Sequence, residues 1–431
     1  MDSMRLVGSL DMSEQRRAHI WILAILLLVL GSLFLMRGPV RGLSSGQDLV
    51  HLYSATVLWI DGGNPYDGGQ CVEAMREAGH QDPEHVSNGS FYPPPTIAVL
   101  SPLGLMGWDT ARLIWLVINL GACAVMLWVL ASWLEIQRTR ERWALAALLI
   151  VAWGPVATTL SLGQLSMVSA SLAFAGLLLL DRGKIWIAGL AIGISCLVKP
   201  QLGLGFWLLV LFRRDWHAAA VATLVMVLVS GIGVGRLMMT VPDWAGQLAS
   251  NIQRDQAPGK VLDASLQGPL RYQMIDLRPL LHLVLPRGMV ALSALFIVGS
   301  LAAIALTKLM RVGLRQSTLL AVAGVGLLTL MPAYHRYYDA VLLLPLLALC
   351  VNEWMKPHRD LRIFMISTAM LGLVLPLPAI LAVMQQREVI PEVLGNTWAW
   401  QHLILQVQSW CLLIAAVTLV LWTYRTVKRT S

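Results

Sequence analysis

Between Arg142 and Asp181 the chain carries no charged residue at all, and comparable apolar stretches recur along its length with the charges gathered at the breaks. About a quarter of an ordinary soluble sequence is charged. Here 13% is charged and 57% is hydrophobic, with a mean hydropathy of +0.67. This pattern excludes a water-soluble enzyme, a disordered chain and a disulfide-rich secreted domain. It predicts an all-α polytopic membrane protein. The net charge of +8 does not indicate nucleic acid, because Lys and Arg sit in small groups at the ends of apolar runs, as membrane topology requires, rather than on one basic face.

The five cysteines add little. Cys123, Cys196, Cys350 and Cys411 lie inside apolar runs, where the thiol behaves as a small hydrophobe. Cys71 stands alone in a polar loop, so neither a disulfide nor a Cys-based metal site is expected. The N-terminal segment is long and acidic for a signal peptide, and the apolar run 20–36 reads as a retained first helix.

A spanning helix needs about 20 apolar residues, or about 17 when upright. Twelve segments are candidates: 18–36, 110–134, 143–161, 164–180, 185–198, 201–212, 217–235, 288–307, 317–332, 338–354, 363–384 and 402–424. A further apolar stretch, 93–108, is broken by Pro102 and Gly104 and reads as re-entrant or half-buried. With the N-terminus cytoplasmic and 93–108 not crossing, every short basic loop falls inside and both termini are cytoplasmic. The whole of 1–431 is then one integral membrane domain with two long extracytoplasmic loops, 37–109 and 236–287. Large folded loops on a single side point to chemistry on that side. No inverted hydropathy repeat of the kind found in secondary transporters is evident.

Segment 185–212 has basic flanks at both ends, so it must rise and return within the bilayer. At 1.5 Å per residue each arm reaches only about 20 Å, short of a hydrocarbon core of about 30 Å. Its apex, Val198, Lys199, Pro200 and Gln201, therefore lies at membrane depth. A lysine there must face a wet cavity or pair with an anion.

The first long loop places Asp48 just before a run in which Leu49, Leu52, Ala55, Thr56, Trp59 and Ile60 recur at helical spacing. This predicts an amphipathic interfacial helix, closed by Gly62 and Gly63 as a left-handed cap. Asp48 is either its N-cap or a functional carboxylate kept ionised by the helix dipole. Tyr92 is a candidate to touch a substrate, and Asp67 reads as a turn cap. Pro93, Pro94 and Pro95 set a rigid start for the half-helix. Gln164, in a turn between two predicted spans, suits a sugar hydroxyl or solvent equally. The turn 330–339 brings His335, Arg336, three tyrosines and Asp339 together. His80, Asp82, Glu84 and His85 fit no standard metal spacing and read as solvated. The chain contains no P-loop, H-E-x-x-H or G-x-S-x-G motif. An acid and buried cations at lipid-phosphate depth suit an enzyme acting on a lipid-phosphate substrate. The identity of any sugar is not readable from these residues.

Taken together, DLVHLYSATVLWIDGGNPYD (48–67), FYPPPTIAVLSPLGLM (91–106), LSLGQLS (160–166), GLAIGISCLVKPQ (189–201), SLQGPLR (265–271) and MPAYHRYYD (331–339) resemble glycosyltransferase family 87, within the GT-C class of membrane glycosyltransferases. The last motif departs most, since Ala333 and Tyr334 precede His335. The resemblance implies a GT-C-type bundle of about 12 transmembrane helices with extracytoplasmic juxtamembrane helices. It implies an inverting transfer of a sugar, typically mannose, from a polyprenyl phosphate donor to a lipid or glycan hydroxyl at the outer face of a bacterial plasma membrane. Asp48 would be the general base. Lys199, with His335 and Arg336, would hold the donor phosphate, and Tyr53, Tyr66, Tyr92 and Gln164 would orient substrate. No metal or other cofactor is implied, because a single phosphate departs as a stable anion. The alternatives are a GT-C enzyme using a pentose or other sugar, and a lipid or solute transporter.

Overall fold

The computed structural model describes residues 21–312, 318–357 and 360–430. The predicted tail 1–17, the first residues of the span placed at 18–36, and parts of the predicted inner loops 308–316 and 353–362 lie outside the described residues. Among those described, the chain is a succession of helices with one isolated backbone bridge, Met274 to Arg336. This is the all-α membrane architecture that the apolar runs require.

Helix α1 (Trp21–Val40) ends in a π-helical turn containing Pro39 and leads to α2 (Leu49–Asp61) and α3 (Gly68–Glu77). Then come α4 (Pro94–Leu100), which tightens into a 3-10 turn at Ser101–Leu105, and α5 (Trp108–Trp133). Next, α6 (Thr139–Ala152) and α7 (Gly154–Leu162) are bent by 61° at their junction. The central helices are α8 (Ser166–Asp181), α9 (Ile185–Val198), α10 (Pro200–Phe212) and α11 (Trp216–Thr240). The second long loop holds α12 (Trp244–Gln256) and α13 (Arg278–Leu281). The last part comprises α14 (Arg287–Val312), α15 (Thr318–Thr329), a 3-10 segment Tyr337–Leu343 running into α16 (Leu344–Trp354), α17 (Leu361–Leu371), α18 (Leu377–Gln386), α19 (Glu392–Gly395) and α20 (Val407–Thr430).

Among the described residues, five helical segments are long and apolar enough to cross a bilayer: α1, α5, α11, Arg287–Ile304 and Tyr337–Trp354; counting the bent pair α6–α7 makes six. Each of the twelve predicted segments contains helix among its described residues, but the remaining helices are shorter. At 1.5 Å per residue, α9 and α10 reach only about 20 Å each. The segment 363–384 is two helices, because Pro376 and Pro378 interrupt the backbone ladder between α17 and α18. Apolar side chains left bare on α5, α11 and α14, such as Val117, Ile232 and Phe296, form a surface suited to lipid.

Small residues set how closely the inner helices approach. Gly189 and Gly193, four apart on α9, face Ala218 and Ala222 on α11. A Cβ at either glycine would come within 2.6 or 2.9 Å of a carbonyl oxygen there. Gly203 of α10 likewise lies against the backbone of Cys196. Such small-residue seams let membrane helices gain dispersion contact where no hydrophobic effect drives them together. They also hold the α9–α10 hairpin rigid around its apex.

Two expectations for the first loop change. Helix α2 is not an amphipathic surface helix: from Leu49 to Thr56 only His51 has appreciable exposure, because the 3-10 turn, α3 and α4 enclose it. Cys71 is fully buried, with its thiol directed at the Pro65 carbonyl, so the polar loop around it is a packed subdomain. The predicted caps are present. Gly62 closes α2 at φ 78°, and Asp67 accepts from the amides of Gly69 and Gln70.

Candidate active site

Gly163 ends α7 at φ 70°, a conformation that favours glycine. Its carbonyl accepts the Trp115 indole N–H at 2.8 Å, which fixes the turn. The Asp48 amide donates to Leu162 O at 3.0 Å, and Gly46 donates to Ser161 O. Docked this way, the residue before α2 lies against the residue after α7, and Gln164 Nε2 donates to Asp48 Oδ2. The Asp48 carboxylate makes no capping bond to α2. Its N-cap position is therefore a matter of backbone placement, and the side chain is free to face inward.

Asp48 and Gln164 open onto a cavity of about 990 Å³. It is walled by the π turn that ends α1, the segment 85–96, the α7–α8 turn, the α9–α10 apex, the second long loop and the turn 332–339. Lys199 is at the apex as expected, 6% exposed, in the single non-helical residue between α9 and α10. Pro200 opens α10, where its missing N–H costs nothing. Lys199 is not a free cation. Its ammonium is 2.5 Å from Asp339 Oδ1 and 2.9 Å from Ser166 Oγ, and it lies 4.8 Å from the centre of the Tyr338 ring. Asp339 also accepts from Ser166 at 2.6 Å and pairs with His335 Nδ1 at 3.0 Å.

Arg336 is a cation with unused capacity. It lines the cavity, stacks on Tyr334 with its guanidinium carbon 5.4 Å from the ring centre, and its buried Nε has no hydrogen-bond partner among the described residues. The opposite face of the turn is pinned by the second long loop. Ile275 N donates to His335 O, Leu277 N donates to Met331 O, and buried Asp276 accepts from the His335 amide. The same carboxylate grips Arg278 at 2.9 and 3.0 Å, so a second guanidinium faces the cavity. Arg37 and Arg41, on and just after the π turn, line it as well.

The other sequence candidates divide. Tyr92 lines the cavity, and Thr96 beside it donates to Leu197 O at 2.7 Å, tying the proline-led helix to the α9–α10 apex. Tyr53 and Tyr66 do not line it. Tyr53 donates to Met106 O at 2.8 Å and Tyr66 to Tyr92 O at 3.1 Å, so both hydroxyls are consumed in holding the first loop together. His335 is fully buried behind Asp339 and orients that carboxylate rather than facing the space. His85, read as solvated, lines the cavity and packs against His51 with ring centres 5.1 Å apart. Burial, with His85 and Arg336 adding to it, pushes His51 down to about 4, so it is neutral at pH 7. Burial also raises the carboxyl of Asp255, another lining residue.

Sequence reasoning missed the pairing role of Asp339, and Ser166, Arg278, Arg37 and Arg41. Asp339 was within reach, since it lies one helical turn from His335 in a motif already singled out. The partnerships of Arg278 depend on a loop whose path no local pattern specifies.

A helical membrane protein with a large cavity that gathers the carboxylates of Asp48, Asp255 and Asp339 and several guanidinium groups is thus defined. The chain belongs to glycosyltransferase family 87, whose sequence model matches residues 91–332. That match includes Tyr92, Gln164, Lys199 and Arg278; Asp48 and the His335–Asp339 turn lie beyond it. Two curated relatives, α-(1→3)-arabinofuranosyltransferases from two strains of Mycobacterium tuberculosis, are each 28% identical over 150 residues, 34% of this chain and 34% of theirs. The match spans about a third of those relatives' length. No solved structure matches.

Proposed function

We propose that this protein is an inverting glycosyltransferase that moves a sugar from a polyprenyl phosphate to a hydroxyl of a lipid or glycan acceptor. The reading further places the reaction at the extracytoplasmic face of a bacterial plasma membrane, with both termini cytoplasmic and 1–431 acting as one integral membrane unit. Membership of glycosyltransferase family 87 supports it. The observation that carries it is the convergence of the Asp48 carboxylate and the Arg336 guanidinium on one large cavity.

In this reading Asp48 is the general base. The acceptor oxygen attacks the anomeric carbon, its proton passes to Asp48, and the bond from that carbon to the phosphate oxygen breaks on the opposite face. Gln164 aims the carboxylate by donating to its other oxygen. The departing polyprenyl phosphate is an anion that needs fixed positive charge. Arg336 supplies it foremost, with Arg278, Arg37 and Arg41 around the same space. Lys199 has its charge largely balanced by Asp339, so its part is to hold the turn bearing Arg336 and to offer a remaining N–H. Tyr92 orients substrate from the facing wall.

The relatives' name, an α-(1→3)-arabinofuranosyltransferase, favours a pentose donor as a reading beside mannose. The test is to incubate purified protein with polyprenyl-phosphate mannose, polyprenyl-phosphate arabinofuranose and membrane lipid acceptors, and to read products by mass spectrometry. A covalent glycoside that disappears in Asp48→Asn is the expected result. Movement of cargo across vesicles without a glycosylated product would instead support a transporter.

A further inference from the structure

A second cavity lies beside the Arg271–Gln273 turn. Leu270, Tyr272 and Gln273 line the large cavity, whereas Arg271 lines the second one together with His282 and His402. Its volume is about 270 Å³, far more than the ~10–15 Å³ that one water requires.

Arg271 is 5% exposed, yet its Nε and Nη1 have no hydrogen-bond partner among the described residues; Nη2 donates to Gln401 O at 3.3 Å. His402 is 7% exposed and its Nδ1 is also unpartnered. Burying a guanidinium with two of its nitrogens unmet is costly unless an anion completes it. Asp263 does not do so. Its carboxylate accepts from the amides of Gly259 and Ser265 and from the Ser265 hydroxyl, and lies 3.5 Å from Arg287. It acts on Arg271 only through its field.

The surroundings indicate which anion fits. His282 lies five residues before α14, and His402 five before α20, so the pocket is where two apolar helices begin. Of these, α14 holds a segment long and apolar enough to span a bilayer, and spanning segments begin at the level of lipid headgroups. Leu266, which lines the pocket, is 60% exposed, and Val284 beside it in sequence to Leu283 is bare as well. A polar bottom with an apolar, open rim is the profile of a lipid phosphate with its first acyl carbons.

We propose that Arg271, His282 and His402 form a binding site for the phosphate of an anionic phospholipid, separate from the cavity that holds Asp48. The guanidinium fork takes two phosphate oxygens, the imidazoles meet the remaining ones, and Leu266 covers the glycerol end. This site does not depend on the glycosyl-transfer reading. Free inorganic phosphate shares the oxyanion chemistry but makes no use of the rim.

The experiment titrates the full chain in a neutral detergent with short-chain phosphatidylglycerol, short-chain phosphatidylcholine and inorganic phosphate. Native mass spectrometry counts bound ligand and thermal shift gives affinity. Phosphatidylglycerol should bind at least tenfold more tightly than the other two. Arg271→Gln should weaken it at least tenfold, and Leu266→Trp, an exposed substitution that fills the mouth, should do the same without disturbing the fold. Arg182→Gln, at the exposed end of α8, should change nothing. If Arg271→Gln fails to fold, Leu266→Trp decides alone. Undiminished phosphatidylglycerol binding in Leu266→Trp, or inorganic phosphate binding as tightly as the lipid, overturns the proposal.

Discussion

The Lys199 ammonium and the Asp339 carboxylate meet at 2.5 Å from positions 140 residues apart, each almost fully buried. The pair joins the α9–α10 apex to the turn that carries Arg336. Removing one member leaves the other charged and stranded, which typically costs about 3–5 kcal/mol. Lys199→Ala should therefore lower the unfolding midpoint in denaturant sharply. The double variant Lys199→Met with Asp339→Asn, which leaves no stranded charge, should recover most of that loss. Equal stability of Lys199→Ala and the wild type would sink the pairing as a structural element.

Asp48 accepts from Gln164 and does not cap its helix, so its charge is not needed for folding. Asp48→Asn should reduce glycosyl transfer by about 10²–10⁴-fold while the thermal midpoint stays close to that of the wild type. Turnover measured by product mass spectrometry, next to a melting curve of the same preparation, separates the two effects. Near-normal turnover rejects the base assignment.

Arg336 lines the cavity, and its buried Nε has no hydrogen-bond partner among the described residues, in contrast to the paired Lys199 ammonium. Arg336→Ala should lower transfer by about 10²–10³-fold, the usual loss when a donor to developing negative charge is removed. Arg336→Lys should restore only part, because an ammonium lacks the planar fork. Steady-state kinetics against donor concentration is the measurement. An effect confined to the acceptor would displace Arg336 from the phosphate.

His51, in the first loop, has its imidazole held down to about 4 by burial, with His85 and Arg336 contributing. The unfolded chain, near the ordinary value of about 6.5, binds the proton more readily than the folded one. The contribution to stability is thus complete above about pH 6.5 and is lost as pH falls toward 4. His51→Gln should flatten the dependence of the unfolding midpoint on pH across that window. An unchanged slope would show that His51 is not the group responsible.

Hydropathy and proline chemistry make much of this molecule legible. The helices follow from the uncharged runs, and the break at Lys199 follows from two short arms with Pro200 between them. The Asp67 cap and the Gly62 stop are local hydrogen-bond and backbone preferences that act within four residues. Helix α2 shows where this reasoning stops. Its apolar spacing is compatible with a bilayer surface or with a packed core, and only the position of α3, α4 and the 3-10 turn selects the core.

The cavity belongs to the other category. Asp48 meets Gln164 across 116 residues, and Asp276 reaches the His335 amide across 59. Tyr53 and Tyr66 look like substrate contacts in the chain, but their hydroxyls are taken by carbonyls of the same loop. Composition and spacing set which segments are helical and which charges must find partners, because desolvation acts on each residue wherever it goes. Which partner each one finds depends on how the helices pack, since ion pairs and hydrogen bonds act over a few ångströms and carry no trace in the order of residues.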